Sequence, residues 1–172
     1  MYSLEFKNDG ISDSLTGVPS PALFLENAAR EFASARRDLR PLSILSLRYL
    51  NLPQCPQPPQ PYSSHVTEAE RESIQLTELT NLTELTEFDL VALARSIQKV
   101  LRKGEFFTRI SESGFWIAIR GDTKASEILS ERIRSTFDQE KNQWRASTIE
   151  CTPLITFDQW IESADRIHFD SE

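Results

Sequence analysis

Between Phe106 and Ile119 the chain reads FFTRI, SESG, FWIAI: two apolar runs of strand length joined by a short polar connection that ends in glycine. That is the signature of a β-hairpin. A hairpin commits its two strands to antiparallel pairing and restricts what can stand on either side of it. Before it, a helix over 87–102, capped by Thr86 and stopped by Gly104, presents Leu90, Leu93, Ala94, Ile97 and Leu101 at helical spacing. After it, Asp122 or Thr123 opens a helix carrying Ala125, Ile128, Leu129, Ile133 and Phe137. Residues 41–50, PLSILSLRYL, load both faces of a strand with apolar side chains, so that strand is expected to be covered on both sides; 144–154 is a further strand. The order β-α-β-β-α-β is the split βαβ, ferredoxin-like plan, an α+β sandwich with helices expected on one face of a mostly antiparallel sheet.

A helix precedes this unit and another follows it. Ser20 before Pro21 places an N-cap and a first-turn proline; Leu23, Phe24, Ala28, Phe32 and Ala35 recur behind them, and Arg36 and Arg37 close a helix over 21–37. Thr156 with Gln159 forms a capping box for a last helix through Trp160, Ile161, Ala164 and Ile167. A length of 172 residues fits one domain. The insertion between the first strand and the helix at 87 stands apart. Five prolines lie between Leu52 and Tyr62, and residues 66–89 carry seven acidic side chains against Arg71 alone. There Leu76, Leu79, Leu82, Leu85 and Phe88 recur every third residue, a stripe that drifts around an α-helix by about 60° per step. The reading is a poorly ordered acidic segment in preference to a dedicated docking stripe.

A net charge of −7 argues against a nucleic-acid polymer as partner and against adhesion to anionic membrane. No apolar run reaches the length of a spanning helix and the first residues lack a secretory pattern, so a cytoplasmic location is expected. Cys55 and Cys151 read as free thiols. Trp116, Trp144 and Trp160 read as core residues, His65 as a solvated loop histidine, and His168 as lacking metal-ligand companions. Ser111 and Ser113 have no histidine near them in sequence that would make either a nucleophile.

The stretch Asp13-Ser14-Leu15-Thr16-Gly17-Val18-Pro19 resembles the DxLTGLP turn that opens GGDEF domains, the bacterial diguanylate cyclase family. The helix after it, the RPLSILSL strand, the RKGEFFTRI approach to a hairpin and Ala164-Asp165-Arg166, similar to the family's ADRALY, follow in the family's order over roughly 13–169. The resemblance implies a palm-like fold shared with nucleotide cyclases, one domain over 1–172 with an insertion at about 52–86. It also implies an ancestry in joining two GTP molecules into cyclic di-GMP, a reaction that needs carboxylate-held metal ions and a glycine pair that lets the backbone approach the nucleotide.

Aligned on the resemblance, RISESGFWI falls on RLGGDEFAL, so Ser111 and Glu112 stand at the glycines, Ser113 at the aspartate, Gly114 at the glutamate and Phe115 at the phenylalanine. The family's DxD-F-K pattern falls on Ser46, Arg48, Leu50 and Asn51, which replaces one metal-facing carboxylate by a hydroxyl and the other by a cation that repels Mg²⁺. No catalytic residue, metal or cofactor is therefore expected, and cyclase activity is the least favoured reading. The expectation is a degenerate domain, a pseudoenzyme of cyclic di-GMP signalling that docks on a protein partner or on a second copy of itself. The alternative is a cyclic di-GMP receptor using Arg102-x-x-Glu105, which stands at the family's inhibitory RxxD motif with Glu in place of Asp. The blander account makes Arg102 a helix C-terminal cation and Glu105 a surface carboxylate, and it is the preferred one.

Overall fold

The structure is a computed structural model and describes residues 8–49, 87–136 and 144–169. The insertion at 52–86, with the Thr86 cap, His65 and Cys55, lies outside the described residues, as does Phe137. Helix α1 is Pro21–Arg37. Its cap is doubly tied: Ser20 Oγ accepts from the Leu23 amide at 3.3 Å and donates to the Gly10 carbonyl at 2.7 Å. Strand β1 is Ser43–Tyr49, and helix α2 covers 87–100. Strands β2 (Phe106–Ser111) and β3 (Gly114–Ile119) form the expected hairpin. Helix α3 (Thr123–Thr136), strand β4 (Trp144–Glu150) and helix α4 (Phe157–Phe169) complete the order.

The four strands run β2-β3-β1-β4, every neighbouring pair antiparallel. This is the ferredoxin-like order anticipated from the hairpin. The helices, however, cover both faces, which corrects the expectation of a single covered face. Phe24, Ala28 and Phe32 of α1 and Trp160 and Ala164 of α4 pack with Ile44, Trp116 and Ala118 on one side. Leu90, Leu93, Ala94 and Ile97 of α2 and Leu129 and Ile133 of α3 pack with Leu45, Leu47, Phe115, Ile117 and Ile119 on the other. The cause lies in the two central strands, whose successive residues are apolar on both sides. Burying a side chain such as Leu47 or Phe115 is worth about 1.5–3 kcal/mol, so a bare second face would forfeit several such terms.

Two boundaries differ from expectation. Helix α2 stops at residue 100, two residues early, because the chain closes a tight turn in which the Glu105 amide donates to the Arg102 carbonyl at 3.0 Å. Strand β4 ends at Glu150 and not at 154: Pro153 has no N–H to donate, and Leu154 stands 96% exposed in the turn that follows. The three tryptophans are core residues as expected, each buried.

Candidate functional site

The opening turn and the hairpin are joined by a buried ion pair. Asp13 ties the turn together, with one oxygen accepting from the Thr16 amide at 2.8 Å and the Thr16 hydroxyl at 2.5 Å, while Gly17 takes φ +69° in the left-handed region. Its other oxygen lies 3.2 Å from Nη1 of Arg109 on β2, and both side chains are fully buried. Arg109 also donates from Nε to the Ser111 carbonyl at 3.0 Å and from Nη2 to the Glu112 carbonyl at 2.9 Å. The guanidinium thus fastens the start of the DSLTG turn to the tip of the hairpin. The tip is only Glu112-Ser113, both at negative φ, so the primed two-residue turns are excluded and the ladder shifts register between Arg109 and Ser111 instead.

Just inside that tip, three elements converge on one side chain. His168, on the last turn of α4 and 2% exposed, has Nδ1 2.7 Å from Ser46 Oγ of β1 and Nε2 2.9 Å from Ser111 Oγ of β2. Its ring stands edge-on to Trp116, with centroids 6.4 Å apart. A Cβ added to Gly114 would lie 2.1 Å from Cε1 of the imidazole. Gly114 has no positive φ, so the glycine there provides space and not backbone freedom. Arg48 points its Nη1 at the His168 carbonyl at 3.4 Å. Burial and the Arg48 charge together lower the imidazole from 6.5 to about 4, so the ring is neutral near pH 7. A neutral imidazole has one donor and one acceptor nitrogen; two rotatable hydroxyls satisfy both, whichever tautomer is present.

The structure therefore supplies the histidine that Ser111 lacks in sequence, and supplies His168 with two hydroxyl companions from distant parts of the chain. The arrangement is poorly suited to nucleophilic catalysis. A ring whose protonated form is disfavoured by burial and by a neighbouring cation is a weak general base, and a serine hydroxyl on the far nitrogen cannot stabilise imidazolium as a carboxylate does. It suits a divalent cation no better: Mg²⁺ wants several hard, preferably anionic oxygens. The converging groups are two hydroxyls, an imidazole already bonded through both nitrogens, and a guanidinium. No cluster of three or more histidine, cysteine or carboxylate side chains able to hold a metal ion occurs among the described residues. Of the other hairpin positions, Glu112 is exposed, while Ser113 and Phe115 are buried, Phe115 within the α2–α3 core. The Trp116 indole N–H is buried without a hydrogen-bond partner.

At the other end of β2 lies the turn that carries Arg102 and Glu105. The Glu105 carboxylate folds back to accept from the Arg102 amide at 2.7 Å, and the Arg102 side chain is exposed. Gly104 holds φ +93°, and an added Cβ would meet Arg120 Nη1 at 2.5 Å. Arg120 crosses this turn to form a two-point pair with Glu31 of α1, at 2.9 and 2.5 Å. Cys151, a half-buried free thiol with its pKa raised mainly by burial, sits beyond β4 and away from both regions.

No protein-family model matches the chain, and no curated protein matches it by sequence. Solved structures do match. A microbial GGDEF domain, described in an interaction with bis-(3′,5′)-cyclic di-GMP, superposes with a TM-score of 0.68 over 96% of this chain and 92% of that one at 15% identity. The GGDEF domain of DgcB from Caulobacter crescentus, solved with c-di-GMP, gives 0.64 over 97% of this chain and 92% of that one at 14% identity. The diguanylate cyclase SiaD from Pseudomonas aeruginosa, solved with its activator SiaC, gives 0.66 at 16% identity over 92% of this chain, which spans only 56% of SiaD. The fold is that of a GGDEF domain.

Proposed function

We propose that the chain is a single GGDEF-like domain, with an insertion at about 52–86, that has lost cyclase chemistry and acts by contact in cyclic di-GMP-related signalling. The observation that carries this reading is the pairing of Ser46 with His168. At the position aligned with a metal-facing carboxylate stands a hydroxyl bonded to a buried imidazole, with Arg48 beside it. Neither group can hold the divalent ions that neutralise a triphosphate. Without that neutralisation the reaction loses several kcal/mol of transition-state stabilisation. The activity that remains to such a fold is recognition, either of a protein partner or of a second copy. SiaD, solved with an activator protein, is a precedent for partner engagement in a protein of this fold. The chain is proposed to act in the bacterial cytoplasm; among the described residues no helix is long and apolar enough to cross a membrane.

A second reading, a cyclic di-GMP receptor, is favoured by one observation: the Arg102 guanidinium is exposed on a rigid turn and open to a planar guanine edge. Against it, Glu105 commits one carboxylate oxygen to the Arg102 amide of its own turn, and that oxygen is then taken when guanine N1 and N2 would present their donors. The test is a titration of the purified chain with cyclic di-GMP and, separately, with GTP and Mg²⁺ or Mn²⁺, followed by product analysis. No turnover and no binding by either nucleotide is the expected result. Cyclic di-GMP formation would overturn the reading, and micromolar binding lost in Arg102→Ala would replace it with the receptor.

A further inference from the structure

We infer that His168 is a plug supplied by the chain itself, filling a small polar slot in which Ser46, Ser111 and Gly114 would otherwise accept an imidazole-sized heterocycle from outside. The inference deepens the proposed function, since it names what closes the hairpin end of the domain. Three observations carry it. The slot has hydrogen-bonding groups at opposite ends, Ser46 Oγ at 2.7 Å from one ring nitrogen and Ser111 Oγ at 2.9 Å from the other, a spacing set by a five-membered ring. Its floor is a glycine with ordinary backbone angles, where any Cβ would overlap the ring. The ring arrives from a different element, on the end of α4, so it can leave by movement of one helical turn without unpairing the sheet.

The ring comes from α4 and its contacts from β1 and the hairpin, and the contacting positions Ser46, Ser111 and Gly114 are those that the resemblance aligns with a metal carboxylate, a glycine and the glutamate of the signature. The plug thus stands where the resemblance places the family's signature and metal-facing positions. Removing the imidazole takes the partner from the buried Ser46 hydroxyl and from the half-buried Ser111 hydroxyl, and a planar molecule with one donor and one acceptor restores both bonds. A larger ligand does not fit a space cut to one ring, and a cationic one is repelled by Arg48.

A double-mutant cycle with free imidazole as the probe tests this. Gly114→Ala in the natural chain should lower the melting temperature by roughly 5 °C, the shift expected for overpacking a chain of this size. In a His168→Ala background the same substitution should shift it by less than half as much, because the ring is gone and the close contact that remains, Ser111 Oγ at 2.9 Å, is a rotatable hydroxyl. Imidazole at tens of millimolar should raise the melting temperature of His168→Ala saturably, and leave the natural chain and the double variant unchanged. Equal Gly114→Ala shifts in both backgrounds, or an imidazole effect no larger on His168→Ala than on the natural chain, overturn the inference. Should His168→Ala fail to fold, ring ¹⁵N spectra of the natural chain decide: a neutral His168 ring with a slowly exchanging N–H supports the plug, and a freely exchanging ring refutes it. None of these measurements involves a nucleotide. Nucleotide binding would sink the proposed function and leave the cycle intact; additivity in the cycle would do the reverse.

Discussion

The two ends of strand β2 differ in how their polar groups are used. At the hairpin end, Arg109, Asp13, Ser46, Ser111 and His168 are buried or nearly so and bonded to one another. At the turn end, Arg102 lies in solvent, and the neighbouring charges, Arg120 with Glu31, form a partly exposed surface pair. The first end has converted polar residues into internal fastening; the second has kept a guanidinium free to meet something else. The difference sets how each end should respond to mutation: substitution at the hairpin should be felt as stability, and substitution at the turn should leave the fold intact.

The sharpest way to break that contrast is at Asp13. Replacing it with Ala leaves the Arg109 guanidinium buried and short of its counter-charge, and the expected loss is about 3–5 kcal/mol in urea unfolding. A loss below about 1 kcal/mol would show the hairpin end to be no more fastened than the surface. The next effect is acid lability. His168 has a folded pKa of about 4 against 6.5 when free, so between those values the unfolded chain binds more protons than the folded one. Stability from this group is complete above about pH 6.5 and declines as pH falls toward 4, by about 3 kcal/mol; His168→Leu should remove that slope.

At the turn end the effects shrink. Gly104→Ala must hold φ +93° and displace the Arg120 guanidinium from its pair with Glu31, for an expected cost of about 1–2 kcal/mol by thermal unfolding. The smallest effect on stability belongs to Arg102→Ala, which should leave the urea midpoint within about 0.5 kcal/mol of the natural chain while deciding any response to cyclic di-GMP. A large destabilisation there would erase the distinction between the two ends.

Much of the fold was legible because it rests on local signals. The SESG connection announced the hairpin, Ser20-Pro21 the start of α1, and the doubly apolar PLSILSL run a strand covered on both sides. That last signal already implied helices on both faces, an implication that the fold plan alone obscured. The hairpin-end cluster was not legible, since it joins positions 46, 111 and 168 from three elements. A trace of it existed: His168 continues the Trp160–Ala164 stripe of α4, and Ser46 follows Ile44 on the same face of β1. Polar residues at core positions require partners, but periodicity does not say which ones. Arg102, expected as the last cation of the helix, lies beyond its end in one turn with Glu105, and only the geometry reveals that Glu105 bonds back to the Arg102 amide.

The central position of β1 also governs when the domain can assemble. This strand is made early, yet its Ser43 pairs with Ile119 on one side and with Glu150 on the other. On a ribosome it would emerge with both faces apolar and wait for most of the chain before either neighbour exists. Loop closure over such separations is slow, and exposed strand edges invite pairing with other nascent chains. The interval between synthesis of β1 and arrival of β3 is therefore the period in which this chain is most exposed to mispairing.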